Sequence, residues 1–171
     1  RNFRGRRNLN NDPQRKPFRL AVLASGRGSN LQALLDAQAD PGHPAVVVRV
    51  LSDVEDAPAL DRARRAGVEA VWVDPRRGNF NRQLGREIEK ADAGLICLAG
   101  YMRVLSEAVV ARFRGGIVNI HPSLLPAFPG LRAQRKALRA GVRVAGCTVH
   151  FVDEGVDTGP IILQAAVPVL P

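Results

Sequence analysis

The chain alternates short apolar runs with amphipathic segments. Runs rich in Val, Ile and Leu predict strands, and apolar residues that recur every three or four positions predict helices. The predicted strands cover residues 18–24, 45–51, 68–73, 94–99, 117–118, 144–151 and 161–169. The predicted helices begin near residue 29 and then cover residues 57–67, 80–90, 106–113 and 132–140.

This order of elements predicts an α/β fold. Strands that alternate with helices build a mostly parallel sheet, because each helix returns the chain to the edge where the next strand starts. We expect three layers in a Rossmann-like arrangement, with helices on both faces of the sheet. The last two predicted strands are joined by a short connection, so they either run antiparallel or turn outward.

Composition narrows the class of protein. A chain of 171 residues suffices for one domain with a core, and 46% hydrophobic with 24% charged residues fits a soluble globular protein. No apolar run approaches the roughly 20 residues that a membrane-spanning helix needs. We therefore expect a cytoplasmic protein without a membrane partner.

The basic charge is concentrated at the N-terminus. Residues 1–16 carry six Lys and Arg against one Asp, so they contribute +5 of the formal net charge of +9. This segment has few large apolar side chains and no periodicity, which predicts a basic disordered tail before a folded domain at residues 17–171. The alternative is a nucleic-acid-binding arm, which we do not favour because the tail has little aromatic support.

Cysteine and histidine spacing argues against a metal site. Cys97 and Cys147 lie in apolar, strand-like runs, and we expect two reduced, buried thiols. The three histidines, His43, His121 and His150, are far apart and are not paired with Cys at metal-ligand spacing, so we expect no metal. His150 lies inside a predicted strand, and we interpret it as a satisfied core histidine.

The turn after the first strand, SGRGSN, has the composition of an anion site. Gly26 and Gly28 permit close backbone approach at a helix N-terminus, and Ser29 and Asn30 add side-chain donors. The turn is not a P-loop, and Leu31 replaces the third glycine of a dinucleotide fingerprint. The residues alone leave two interpretations open, a phosphate cradle or an ordinary tight turn with a Ser or Asn cap.

The strongest candidate for catalysis lies after the strand at 117–118, where Asn119 and His121 enter a loop with prolines at 122, 126 and 129. An amide stabilises a developing oxyanion, an imidazole carries protons, and the carboxylate of Asp157 can hold that imidazole. This set suits attack by an amine on a carbonyl carbon. No Ser, Cys or Thr sits at a nucleophile elbow, so we expect no covalent acyl-enzyme.

Each of these side chains also has an ordinary structural interpretation. A single histidine in a Pro-rich loop is often structural, and Asn119 and Asp157 are common turn residues. The basic residues of the predicted helix at 132–140 are interpreted as a solvated face. Spacing alone therefore leaves two interpretations of Asn119, His121 and Asp157 open, a catalytic set or ordinary structural residues.

Three segments together carry a resemblance to a known family. They are SGRGSNLQALL from Ser25, NIHPSLLPAFPG from Asn119 and GCTVHFVDEGVDTGPIILQ from Gly146. In this order and spacing, residues 18–171 resemble the formyltetrahydrofolate-dependent formyltransferases, and among them the phosphoribosylglycinamide (GAR) formyltransferases of de novo purine synthesis. Within that group, proline at 122 and the SGRGSN turn favour the GAR enzymes. The resemblance implies formyl transfer from 10-formyltetrahydrofolate, as cosubstrate, to the amine of GAR, without a metal.

The resemblance also implies roles for individual residues. The implied catalytic set is Asn119, His121 and Asp157. The residues implied to hold the ribose phosphate of GAR are Gly28, Ser29 and Asn30. The residues implied to contact the folate are Arg77, Met102, Arg103, Val104, Leu105, Asn119, Val152, Asp153 and Asp157. Thr148 matches a Ser or Thr position that supports the site, and the enzyme is expected to be a monomer or homodimer that acts on small molecules.

The chain departs from the family pattern at two places. Arg132 stands where many relatives have a histidine, so that contact is not carried over. The family normally continues past the last strand with a long C-terminal helix and further acceptor contacts, whereas this sequence stops at Pro171. We expect that a molecule ending there would bind GAR poorly.

Three rival functions remain. A formyltetrahydrofolate hydrolase would use water instead of the amine and normally carries an N-terminal regulatory domain. A methionyl-tRNA formyltransferase would show an Arg-Gly pair where Phe128, Pro129 and Gly130 stand. The third rival, from a different class, is a catalytically inert folate- or phosphate-binding module, for which the intact Asn119, His121 and Asp157 set would be unnecessary.

Overall fold

The computed structural model describes residues 16–170 and contains seven strands and five helices in that part of the chain. The strands are β1 (Phe18–Leu23), β2 (Ala45–Ser52), β3 (Glu69–Trp72), β4 (Leu95–Leu98), β5 (Ile117–His121), β6 (Val144–Phe151) and β7 (Ile161–Pro168). The helices are α1 (Ser29–Ala37), α2 (Pro58–Arg65), α3 (Phe80–Lys90), α4 (Glu107–Arg112) and α5 (Ala133–Arg139). The basic tail predicted at residues 1–16 lies outside the described residues, except for Lys16.

One sheet runs through the domain in the order β3-β2-β1-β4-β5-β6-β7. Strands β1 to β5 are parallel, whereas β6 pairs antiparallel with β5 and β7 pairs antiparallel with β6. The predicted mostly parallel α/β sheet is confirmed. The sequence left two arrangements open for the last two strands, and they run antiparallel.

Helices cover both faces of the sheet, as alternation along β1 shows. Leu20, Val22 and Ala24 pack in one apolar cluster with residues of α1 and α2. Ala21 and Leu23 point to the opposite face and pack with residues of α3 and α4. Since successive side chains of a strand face opposite sides, one apolar run supplies both cores. The predicted three layers are confirmed.

Strand β5 is longer than the sequence predicts. The apolar run alone predicts a strand at 117–118, but β5 extends to His121. The extension comes from antiparallel pairing with β6, in which Asn119 faces His150 and His121 faces Thr148. Asn119 and His121 are therefore strand residues rather than the first residues of a loop, and that prediction is wrong.

Two further expectations concern the basic residues of the fifth helix and the two cysteines. The basic residues of α5 and its N-cap are exposed, as predicted. Cys97 and Cys147 are both free, but each is half-buried rather than fully buried. Cys97 packs only partly against the apolar cluster of α1 and α2, and Cys147 pairs with Ala165 of β7, a strand exposed along its length. No helix among the described residues has the length and apolarity required to cross a membrane.

The buried guanidinium of Arg49 links strand β3 to helix α3. Arg49 in β2 is 6% exposed, and its guanidinium donates to Glu69 Oε2 in β3 at 2.8 Å and to Glu87 Oε2 in α3 at 2.6 Å. The Glu87 side chain is itself only 12% exposed. A buried ion pair is costly to break, because the remaining partner keeps its charge without compensation.

We predict that Arg49→Ala lowers the free energy of unfolding by about 3 kcal/mol, because it removes the guanidinium from between two carboxylates. The matched control is Arg64→Ala, which removes an exposed pair with Asp61 and should cost less than about 1 kcal/mol. Urea unfolding followed by circular dichroism measures both values. Equal losses in the two variants would contradict the assigned role of Arg49.

Candidate active site

The carboxylate of Asp157 joins the side chains that project from the end of β5. Asp157 lies in the loop between β6 and β7, and its side chain is 11% exposed. Its Oδ2 accepts a hydrogen bond from the Gly130 main-chain N–H at 2.7 Å and lies 3.2 Å from His121 Nδ1. Its Oδ1 lies 3.5 Å from Asn119 Nδ2. The three residues predicted as the catalytic set are thus brought together.

The second nitrogen of His121 also faces an oxygen. His121 is 5% exposed, and its Nε2 lies 3.0 Å from the Phe128 carbonyl oxygen, which only accepts hydrogen bonds. Nδ1 faces the Asp157 carboxylate at 3.2 Å. Only a ring protonated at both nitrogens donates to both oxygens, so this geometry suits the imidazolium form.

Backbone strain accompanies the cluster at two positions. Phe128 has φ 54° and Asp157 has φ 57°, both in the left-handed region. An Asp tolerates this region better than most residues, but a Phe there costs free energy that the surrounding contacts must supply. The strained Phe128 is the residue whose carbonyl oxygen holds the His121 ring.

His150 belongs to the same cluster, although we interpreted it from the sequence as a core residue. It is 2% exposed, which agrees with burial, but its Nε2 lies 3.2 Å from Asn119 Nδ2 and 3.6 Å from Asp157 Oδ1. The antiparallel register of β5 and β6 places it opposite Asn119. Only that pairing reveals the contact, because the two residues are 31 positions apart.

Thr148 fastens the Pro-rich loop to the sheet. This fully buried residue donates from Oγ1 to the Ser123 carbonyl oxygen at 2.7 Å. The same oxygen accepts from the Leu125 main-chain N–H and from Gln164 Nε2, each at 3.0 Å. One hydroxyl therefore connects the loop after β5 with β6 and β7. Its role in supporting the site stays a prediction.

The glycine turn lies at the same edge of the sheet, between β1 and α1. Gly28 is the N-cap of α1 with φ 71° and ψ 33°, and Gln32 N–H donates the first bond of the helix to its carbonyl oxygen at 2.8 Å. The Ser29 and Asn30 side chains are exposed, and neither makes a capping bond with the helix. The N–H groups before that first bond remain directed out of the helix end. This geometry suits an anion.

Packing against α2 fixes the position of this turn. The Ala59 N–H donates to the Gly26 carbonyl oxygen at 3.1 Å, and Arg62 Nε donates to the Arg27 carbonyl oxygen at 2.8 Å. A Cβ at Gly28 would lie 2.9 Å from Ala59 Cα. The close contact and the positive φ explain why glycine occupies position 28.

The segment after β4, implied by the resemblance to contact the folate, is attached to the first turn. Ser25 Oγ accepts from the Met102 main-chain N–H at 2.8 Å and donates to Asp53 Oδ1 at 2.6 Å. Met102 and Val104 are 62% and 79% exposed, so both are accessible to a ligand. Leu105, in contrast, is 8% exposed and packs in the core beside α3 and α4.

The two arginines implied for folate binding are accessible cations. Arg103 lies over the Phe80 ring at 5.4 Å from its centroid, with Nη1 4.0 Å from Asp53 Oδ2. Arg77 is in the loop after β3. Its side chain is 68% exposed, and its Nε lies 3.8 Å from Asp74 Oδ2. Within residues 16–170, neither arginine forms a hydrogen bond or ion pair with the Asp157 cluster, and their role in folate binding stays a prediction.

Val152 and Asp153 line a cavity of about 290 Å³ that also touches Val110, Arg114 and Pro160. None of Asn119, His121 and Asp157 lines this cavity. The cavity is therefore separate from the side-chain cluster, although both border the loop between β6 and β7.

Neighbouring titratable groups do not offer a nucleophile. Burial raises the pKa of the Cys97 thiol to about 11, so the thiol stays protonated at neutral pH. Burial, together with the nearby Asp53 charge, also raises the pKa of Tyr101. Among residues 16–170, no group of three His, Cys, Asp or Glu side chains is arranged to hold a metal ion.

Comparison with known proteins identifies relatives of the whole folded region. Residues 18–171 match the family described as formyl transferase. The trifunctional purine biosynthetic protein adenosine-3 of Drosophila melanogaster is 54% identical over 159 residues, which are 90% of this chain but only 12% of that protein. The phosphoribosylglycinamide formyltransferase of Escherichia coli is 45% identical over 155 residues, 88% of this chain and 73% of that protein.

A solved structure matches the fold as well. The glycinamide ribonucleotide transformylase 1 of Symbiobacterium toebii is 55% identical and superimposes with a TM-score of 0.86. The match covers 91% of this chain and 75% of that chain. The two chains therefore share one fold over most of this chain.

We predict that Gly28→Ala lowers the thermal midpoint by several degrees, because the added methyl group meets Ala59 and the residue must keep φ 71°. Gly26→Ala is the control, since no atom lies within 4 Å of its added Cβ and its φ is not positive. Differential scanning calorimetry measures both midpoints. A larger loss for Gly26→Ala would contradict the packing described for the turn.

We predict that Thr148→Val destabilises the fold by about 2 kcal/mol, since buried main-chain groups of Ser123 and Leu125 lose their partner. Thr148→Ser keeps the hydroxyl and should retain most of the stability. Urea unfolding compares the two variants. If Thr148→Val were as stable as Thr148→Ser, the hydroxyl would not be what fastens the Pro-rich loop.

Proposed function

The chain belongs to the formyl transferase family, and from this membership we propose that it transfers the formyl group of 10-formyltetrahydrofolate to the amine of GAR. The chain spans only 12% of the length of the Drosophila melanogaster relative, but 73% of the Escherichia coli enzyme named for this reaction. The main support for this proposal is the close approach of Asn119, His121 and Asp157 at the end of β5.

The reaction makes one bond and breaks one. The uncharged amine of GAR attacks the formyl carbon, a C–N bond forms, and the carbonyl electron pair moves onto oxygen. Collapse of this tetrahedral intermediate breaks the bond between the formyl carbon and the folate nitrogen. The attacking nitrogen loses a proton, and the leaving nitrogen gains one. No residue needs to become acylated.

Asn119 is proposed to donate to the oxyanion. Its Nδ2 makes one contact to His150 at 3.2 Å and a second to Asp157 at 3.5 Å. The second contact is at the outer limit for a hydrogen bond, so a formyl oxygen can take over that N–H at little cost. One such donor contributes roughly 3–4 kcal/mol of transition-state stabilisation.

His121 is proposed to supply positive charge and a second donor. Its Nε2 donates to the Phe128 carbonyl oxygen at 3.0 Å. We propose that the formyl oxygen shares or replaces this acceptor when the cosubstrate binds. The Pro-rich loop holds the ring in place beforehand, so little reorganisation is required at the moment of reaction.

Asp157 is proposed to stabilise the imidazolium and to assist the loss of the amine proton. Its Oδ2 already accepts from Gly130 N–H and lies beside His121 Nδ1. Among the described residues, its Oδ1 has only the long contacts to Asn119 and His150, and is therefore the atom available to a proton relay through water.

The remaining residues are proposed to bind the two substrates. The exposed N-terminal end of α1, at Gly28, Ser29 and Asn30, would hold the GAR phosphate, because its N–H groups and helix dipole favour an anion. The proposed folate contacts outside the Asp157 cluster are Arg77, Met102, Arg103, Val104, Leu105, Val152 and Asp153. Leu105 would contribute through its main chain, because its side chain is packed in the core. We further propose that the enzyme works in the cytoplasm as a monomer or homodimer.

We predict GAR-dependent formyl transfer that falls by about 10² or more in His121→Ala and in Asp157→Ala, because each change removes a charged group from the reaction centre. The assay uses 10-formyltetrahydrofolate or a dideaza analogue, with GAR and without it. His43→Ala and Asp92→Ala are matched controls, since His43 lies before β2 and Asp92 is an exposed Asp with φ 45°.

The same assay distinguishes the proposed transfer from hydrolysis and from binding without turnover. Formyl release that does not depend on GAR would contradict the proposal and indicate the hydrolase. Binding of the folate analogue without any turnover would also contradict it and indicate the inert binding module. Equal losses in the control variants would show that the effects come from folding and not from the reaction centre.

A further inference from the structure

The Asp157 cluster contains one side chain for which the proposed transfer has no role. His150 is 2% exposed and lies in β6 directly opposite Asn119. Its contacts define which of its nitrogens carries a proton, and this in turn defines how the neighbouring carboxamide is oriented.

The first contact assigns the tautomer. His150 Nδ1 lies 2.9 Å from the carbonyl oxygen of Phe151. A carbonyl oxygen only accepts hydrogen bonds, so Nδ1 must carry the proton. In the neutral ring Nε2 is then left with a lone pair and acts only as an acceptor.

The second contact orients Asn119. The amide Nδ2 lies 3.2 Å from His150 Nε2, and an acceptor there requires the NH₂ end of the carboxamide. The reversed amide would place its oxygen against the Nε2 lone pair and against Asp157 Oδ1, and both contacts would be repulsive. His150 and Asp157 therefore select the same orientation of Asn119 from two directions.

We propose that neutral His150 is a positioning residue that holds the Asn119 carboxamide with its NH₂ group toward the reacting formyl oxygen. This inference rests on the proposed formyl transfer. His150 would act by preorganisation, because an N–H donor that already points toward the developing negative charge requires no reorientation free energy during the reaction. The histidine itself does not touch the substrate.

Two variants separate positioning from packing. His150→Gln offers an acceptor oxygen near the place of Nε2, whereas His150→Leu fills the space without an acceptor. We expect kcat to fall about tenfold or more in His150→Leu, with KM for both substrates changed less than about threefold. His150→Gln should regain most of the lost kcat. His43→Leu, which removes a histidine with a similar main-chain bond elsewhere, should have wild-type kcat.

A double-mutant cycle tests whether the effect passes through Asn119. In an Asn119→Ala background, His150→Leu and His150→Gln should have the same kcat, because no carboxamide remains to be oriented. A further loss specific to His150→Leu in that background would overturn the proposal. Equal kcat in the two single variants would overturn it as well.

Nitrogen NMR of the imidazoles provides a readout that does not depend on turnover. We expect the His150 resonances of a protonated Nδ1 and an unprotonated Nε2 in the wild-type chain. Protonation at Nε2 alone would overturn the proposal even if the enzyme is active. A wild-type chain with the expected tautomer but no GAR-dependent transfer would support the assigned hydrogen bond and reject the proposed function.

Discussion

The site depends on one carboxylate that receives contacts from several separate parts of the chain. Asp157 accepts from the Gly130 N–H in the Pro-rich loop, faces His121 and Asn119 on β5, and lies near His150 on β6. Its side chain is 11% exposed, and the Gly130 N–H, His121 Nδ1 and Asn119 Nδ2 face its two oxygens, as a buried carboxylate requires. The antiparallel pairing of β5 with β6 places Asn119 opposite His150 and His121 opposite Thr148, so this end of the sheet positions the side chains around Asp157.

Rigid backbone maintains this arrangement before any ligand arrives. Thr148 ties the Pro-rich loop to β6 and β7 through three hydrogen bonds. The loop in turn presents the carbonyl oxygen of Phe128, a residue in a strained conformation, to the His121 ring. Strain of this kind persists only when surrounding contacts enforce it, and it is concentrated here where donors and acceptors must be fixed in position.

Hydrophobic patterning predicted the layers, because a parallel sheet covered on both faces needs nearly continuous apolar strands. It failed at β5, where polar Asn119 and His121 continue the strand through pairing with β6 that no local pattern shows. The same pairing explains why His150 was interpreted only as a core residue. The residue types and their positions after apolar runs pointed to Asn119, His121 and Asp157 but left structural alternatives open, and the motif resemblance favoured the catalytic interpretation. Hydrogen-bond partners such as Phe128 O arise from loop conformation, which composition does not determine.

The most direct test of the account is a crystal structure of the chain with GAR and a stable 10-formyl folate analogue. We predict that the formyl oxygen lies about 2.7–3.2 Å from Asn119 Nδ2 and beside the His121 ring, with Asp157 still accepting from the Gly130 N–H. The GAR phosphate should lie at the N-terminal end of α1. An analogue bound with its formyl group away from Asn119, for example in the cavity lined by Val152 and Asp153, would contradict the central claim.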